Sequence, residues 1–173
     1  MGKKIVIAFP GARGCEIPLL YFGAKHFEDM GYEKRFIAFP DNREITFENL
    51  LDNALELLRD VPWDAYEDIV FLAKSIGTVV SGKVKEQLGI PAKLILFTPL
   101  EETLPYIRRG NDVMLVAMGD ADPYLTAERL AEHCEQEEIR YHIEAGVGHR
   151  MEVPRDLQRN LEILYRVIRQ LNS

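Results

Sequence analysis

Short apolar runs alternate with segments of helical periodicity along this whole chain, and no other feature constrains its fold as strongly. The runs fall at 5–9, 35–39, 68–72, 93–97, 113–118 and 139–144. Most, such as Ile5-Val6-Ile7-Ala8-Phe9, are continuously apolar, the pattern of strands buried on both faces. Between them lie helical stretches. One runs from Pro18 to Met30, with Pro in the first turn and Gly31 just past the end. A polar turn after Pro40 leads to a helix capped by Thr46, whose Leu50, Leu51, Ala54, Leu57 and Leu58 recur at helical spacing. A third helix carries residues 78–84, a short one 101–109, and a fifth, capped by Thr126, residues 126–136. The last spans 154–171, with Leu157, Leu161, Leu164, Ile168 and Leu171 as its expected core stripe. Strands alternating with helices predict an α/β architecture: a three-layer sandwich with a mainly parallel sheet and helices on both faces. No repeat, low-complexity tract or linker interrupts the pattern, so residues 1–173 read as a single domain.

Ala73-Lys74-Ser75-Ile76-Gly77 stands where the third run turns into a helix. A serine flanked two residues away by small side chains on a strand-to-helix turn is the pattern of a nucleophile elbow. Such a turn is too sharp for larger flanks, and it lifts the hydroxyl clear of the backbone. A second reading stands beside it, because serine before a helix also serves as an ordinary N-cap. Two downstream motifs weigh on the choice. Gly119-Asp120-Ala121-Asp122-Pro123 follows the fifth run, and Ala145-Gly146-Val147-Gly148-His149 follows the sixth. Ser, Asp and His thus each fall just past the C-terminal end of a strand, the edge where parallel sheets place their ligands. That chain order is the one found on α/β-hydrolase sheets.

On these motifs the chain resembles the α/β-hydrolase family from Lys4 to Leu171. The resemblance implies Ser75 as nucleophile, Asp122 as acid in Gly119-x-x-Asp122, and His149 as base in Gly146-x-Gly148-His149. Asp120 competes for the acid role, and the family spacing favours Asp122. The loop after the first core strand appears as Phe9-Pro10-Gly11-Ala12-Arg13-Gly14, with Pro10 where the family usually has His. Backbone N–H groups of Ile76 and of Gly11, Ala12 or Arg13 are then the expected oxyanion donors. Ala73 replaces the first Gly of the elbow. The family's usual first strands and its cap have no counterpart here, so a minimal form of the fold is expected. A histidine, with an ordinary pKa near 6.5, accepts the serine proton in flight, and an aspartate fixes its tautomer. The implied activity is hydrolysis of a small ester or thioester through an acyl-enzyme, with a small-molecule acyl substrate and neither metal nor cofactor.

Composition narrows the alternatives. A net charge of −7 without a basic block argues against nucleic acid or an anionic membrane as partner. The spaced arginines, Arg108, Arg109, Arg155, Arg159, Arg166 and Arg169, read as solvated helix faces. Met1-Gly2-Lys3-Lys4 and the few apolar residues after it do not read as a signal peptide, and no run is long enough to span a membrane. Cys15 and Cys134 lack metal-ligand spacing, so free thiols in a reducing cytoplasm are expected. Cys15, near the expected oxyanion loop, is read as a small semi-buried residue. His26, His133 and His142 read as incidental. Lys74 and Arg13 each have two readings, a solvated side chain or a contact to an anionic group.

Two other classes compete: a non-catalytic binding module on the same fold, and a nucleotide-binding domain using Gly11-Ala12-Arg13-Gly14. The second lacks both the Gly-x-Gly-x-x-Gly spacing and a Gly-Lys-Ser/Thr. With only a short segment between 97 and 113, the site is expected to be shallow and open, walled by Leu100, Leu104 and Tyr106 and ill suited to a lipid tail.

Overall fold

The computed structural model describes residues 2–40 and 46–172. Six strands, β1 (Lys3–Phe9), β2 (Glu33–Phe36), β3 (Tyr66–Lys74), β4 (Lys93–Phe97), β5 (Val113–Gly119) and β6 (Tyr141–Glu144), form one sheet in the order β2-β1-β3-β4-β5-β6. Every neighbouring pair is parallel. The order reverses between β1 and β3, and the crevice outside such a switch point is where open α/β sheets bind ligands.

Each central strand is apolar on both faces because both are covered. Ile5, Ile7, Phe9, Ile69, Phe71, Leu94 and Leu96 point to one side, where α2 (Phe47–Leu57), α3 (Ile76–Leu88) and α4 (Ala127–Glu137) complete the core. Val6, Val70, Leu72, Ile95 and Phe97 point to the other, against α1 (Pro18–Asp29) and α5 (Leu157–Arg169). The period of two along each strand therefore feeds two separate cores from one sheet. Thr46 and Thr126 cap α2 and α4 as expected, accepting from Asn49 N and Arg129 N at 3.2 Å each.

Several expectations shift. The second strand lies at Glu33–Phe36 rather than 35–39, and the sixth starts at Tyr141 rather than 139. Segment 101–109 is a tighter 3₁₀ helix, Glu101–Tyr106, closed off by Pro105. Leu57 sits at the exposed edge of α2. The largest correction concerns α5. Ile163 and Val167 are its buried residues; of the expected stripe, Leu171 is buried and Leu164 and Ile168 pack against the core, whereas Leu157 and Leu161 are 73% and 57% exposed. The polar turn after Pro40 lies outside the described residues. Among the described residues, no helix is long and apolar enough to cross a membrane.

Phe71 is fully buried at the sheet centre, with its ring 4.8 Å from that of Phe9 and 6.2 Å from that of Trp63. Phe71→Ala is expected to destabilise the protein by about 3–5 kcal/mol, read from the denaturant midpoint at constant m-value.

Candidate active site

Ser75 occupies a backbone conformation that its neighbours impose. It has φ 55° and ψ −129°, in the half of the map that L-residues avoid, a strain of about 1–3 kcal/mol. Its N–H donates to Phe97 O at 3.1 Å and its carbonyl accepts from Thr78 N at 2.9 Å, so strand β4 and helix α3 hold it from both sides. The small flanks follow from close approach. A Cβ on Gly77 would lie 2.5 Å from the carbonyl oxygens of both Phe9 and Pro10, and these are main-chain atoms. Ala73 is fully buried in the sheet, where β1 and β4 pair on either side of it.

The hydroxyl of Ser75 makes no cap bond to its own helix. It lies 2.8 Å from Nε2 of His149, whose Nδ1 lies 2.7 Å from Oδ2 of Asp122. A carboxylate only accepts, so Nδ1–H donates to Asp122 and Nε2 accepts from the serine hydroxyl. The Asp122 side chain is fully buried, and its Oδ1 takes a further hydrogen bond from Tyr124 N at 2.9 Å. Asp120 faces elsewhere: its Oδ1 accepts from Gly146 N at 2.7 Å, tying the acid loop to the histidine loop. Ala121 N donates to Val147 O at 3.0 Å alongside it. Gly119 permits that docking, since a Cβ there would fall 2.0 Å from Val147 O.

Gly11, Ala12, Arg13 and Ile76 all line one cavity with Ser75 and His149. Ile76 opens α3, so its N–H is among the first-turn donors that have no acceptor within the helix. The Gly11 loop is a tight turn, with Gly14 N donating to Gly11 O at 3.2 Å, and it comes close enough that a Gly11 Cβ would touch Ser75 Cβ at 3.0 Å.

Lys74 is neither solvated nor paired with a carboxylate. It is buried, and its ammonium donates to His149 O at 2.8 Å and Thr98 Oγ1 at 3.0 Å. It thereby ties the residue before Ser75 to the histidine loop. Burial pushes its pKa down to about 8, against the opposing pull of Asp122 and Glu152. Arg13 is exposed on the cavity wall. Cys15 is half-buried behind the Gly11 loop, its Sγ 3.5 Å from the carbonyls of Ala8 and Ile37, and burial pushes its thiol up to about 12, which makes it a poor nucleophile. Both cysteines are free. His142 and Arg166 both bind Glu144, on the face of β6 behind α5; Arg166 is therefore an anchor rather than a freely solvated side chain. Burial of Glu144 opposes its charge, but the bonds from Arg166 and His142 outweigh that and hold its carboxyl below the ordinary range.

The expected walls are only partly right. Leu100 lines the cavity, but Leu104 is buried in the core and the Tyr106 ring lies over Gly82. The cavity opens instead along the β1–α1 loop and α5, with a volume of about 650 Å³. Tyr124, whose ring meets that of His149 edge-on at 4.6 Å, is a neighbour the sequence reading missed. Nothing local marks a tyrosine two residues after an aspartate as a histidine's neighbour. Among the described residues, no group of three or more His, Cys, Asp or Glu is placed to hold a metal ion.

A serine hydrolase homologue from Coxiella burnetii superposes on 98% of this chain and 85% of its own, with TM-score 0.71 and 18% identity. The chain has the α/β-hydrolase fold. Est1E from Butyrivibrio proteoclasticus matches 99% of the chain and 90% of its own, with TM-score 0.65 and 13% identity. An α/β-hydrolase enzyme from the metagenome of lagoon sediments at Mar Chica, Morocco, gives 99%, 93%, 0.65 and 11% respectively. No protein-family model and no curated protein sequence matches the chain.

Three outcomes follow from the turn at Ser75 and the buried lysine before it. Gly77→Ala forces a side chain into the carbonyls of Phe9 and Pro10 and is expected to lower stability by about 1–3 kcal/mol in denaturant titration. Lys74→Met removes the donor to His149 O, so amide exchange in the histidine loop is expected to accelerate while the central strands stay protected. The lysine also leaves a pH signature. Between pH 8 and 10.5 the unfolded chain holds a proton that folded Lys74 has released. Wild-type stability relative to Lys74→Met therefore rises with pH across that window, and the gain is lost as pH falls through 8.

Proposed function

We propose that this chain is a serine hydrolase that cleaves a small ester or thioester through an acyl-enzyme on Ser75. The observation that carries the reading is the unbroken hydrogen-bonded chain from Ser75 Oγ through the His149 ring to buried Asp122. A serine hydroxyl holds its proton too tightly to attack a carbonyl unaided. His149 Nε2 takes that proton as the Ser75 oxygen bonds to the acyl carbon, and Asp122 stabilises the imidazolium from the Nδ1 side. The carbonyl oxygen, now negative, sits against the N–H of Ile76 and an N–H of the Gly11-Ala12-Arg13 turn. Each such donor is worth about 3–4 kcal/mol in the transition state. His149 then gives its proton to the departing alcohol or thiol. In the second half, water takes the place of that group: His149 deprotonates it, it attacks the acyl carbon, and Ser75 leaves with the proton returned.

The strain at Ser75 supports the same reading. A backbone held at φ 55° by two elements keeps the hydroxyl forward in the crevice, a geometry that an N-cap role does not require. The Coxiella structure is described as a serine hydrolase homologue, and that description is compatible with the proposal.

Labelling with a fluorophosphonate probe tests it. Ser75 is expected to carry the label and Ser81, buried with its hydroxyl on Thr78 O, to carry none. Labelling that survives Ser75→Ala sinks the assignment. On a p-nitrophenyl ester, Asp122→Asn is expected to lower kcat by several orders of magnitude, because it traps the wrong imidazole tautomer. Asp120→Asn loses only the bond to Gly146 N and is expected to cost far less. Near-wild-type rates in both variants, with folding checked by circular dichroism, would remove both aspartates from the acid role and with them the triad.

A further inference from the structure

The first turns of α5 present Leu157, Leu161 and Leu164 at successive helical steps, a spacing that ordinarily packs into a core. Here Ile163 and Val167 face the sheet, while Leu157 and Leu161 stand 73% and 57% exposed. All three leucines line the same cavity as Ser75, together with Ile17 of the β1–α1 loop and Pro18 and Leu19 at the start of α1. The charged lining residues, Arg13, Lys74, Arg150 and Glu152, belong to the segments that carry Ser75, His149 and the Gly11 turn. On the α5 wall the one polar side chain is Asn160. Its Oδ1 accepts from Val153 N at 2.6 Å and its Nδ2 donates to Val153 O at 3.0 Å, so it is taken up in holding the histidine loop. That wall offers a ligand hydrocarbon contact and little else.

We propose that this groove binds the acyl chain of the substrate, making the protein selective for medium-length aliphatic acyl esters; the inference rests on the hydrolase reading above. The Gly11 turn runs along the β1–α1 loop into Ile17 and the first residues of α1, Pro18 and Leu19, so a carbonyl oxygen held at the turn directs the acyl carbons along that wall. The leaving group departs on the His149 side, past Tyr124, which is 61% exposed and leads to solvent. About 650 Å³ is ample for an eight-carbon chain and lies within the range of small-molecule sites. The exposed leucines are then covered by substrate when it binds, and each buried methylene strengthens the transition-state complex about fourfold.

The test compares p-nitrophenyl acetate, butyrate, hexanoate and octanoate with acetate esters of alcohols of increasing length. In the acyl series kcat/KM is expected to rise at least about 50-fold from acetyl to octanoyl. The alcohol series should stay nearly flat. In Leu161→Glu and in Leu157→Glu, both at exposed positions that tolerate charge, the octanoyl-to-acetyl ratio of kcat/KM is expected to fall at least tenfold. A gain confined to the alcohol series overturns the acyl assignment. Acetate hydrolysis with no gain in either series overturns the groove while leaving the hydrolase reading intact. No turnover of any ester, with no fluorophosphonate labelling, overturns the hydrolase reading itself. Light scattering closes the remaining route: a wild-type dimer that Leu161→Glu converts to monomer, with the chain-length profile unchanged, assigns the leucines to a second copy and overturns the proposal.

Discussion

Everything at the candidate site depends on how closely the turn after β3 approaches the end of β1. Gly77 lies so near the carbonyls of Phe9 and Pro10 that only a hydrogen fits between them. That contact brings the start of α3 beneath the β1–α1 loop, and it does so at the switch point where the sheet order reverses. Ser75 consequently takes a left-handed backbone that β4 and α3 hold in place. The strain is small beside the two cores that flank the sheet, so the fold sustains it without distortion elsewhere.

The histidine and acid loops are fastened to each other before they are fastened to Ser75. Asp120 to Gly146 N, Ala121 N to Val147 O, and the bare face of Gly119 against Val147 O make a short backbone seam between the ends of β5 and β6. Lys74 then ties that seam to β3 through His149 O. A charge this deeply buried is normally a burden, and its depressed pKa reflects it. In exchange the imidazole is placed from the main-chain side as well as by Asp122, which leaves its loop little freedom to drift from the serine.

The fold leaves the far side of the crevice hydrocarbon. The apolar residues of α5 serve two tasks: Ile163 and Val167 close the core beneath it and also reach the cavity, Leu164 packs against that core while lining the cavity, and Leu157 and Leu161 stand exposed on its wall. Arg166 on the same helix anchors it to β6 through Glu144. Rotation of the helix toward the sheet would bury the leucines but would cost the helix both this ion pair and the Asn160 clamp on Val153.

The layering and the turn at Ser75 were legible in the chain because both rest on local periodicity and short-range sterics. Runs such as 5–9 and 93–97 read as strands covered on both faces, and Ala73-x-Ser75-x-Gly77 carries its own steric logic. The order Ser, Asp, His along the chain together with the family resemblance singled out Ser75, Asp122 and His149, and the structure places His149 within hydrogen-bond distance of both Ser75 and Asp122. What the sequence left open were questions of which partner a group meets. Lys74 is next to Ser75 in the chain, yet its partners are 24 and 75 residues away. Tyr124 meets His149 only because β5 and β6 are neighbours in the sheet. The leucine stripe of α5 has the period of a core face, and period alone does not say which way a helix is turned. Tertiary packing decided that, through Glu144, Val153 and the sheet beneath: the stripe's Leu171 is buried and Leu164 and Ile168 pack against the core, while Leu157 and Leu161 stand exposed on the wall of the cavity.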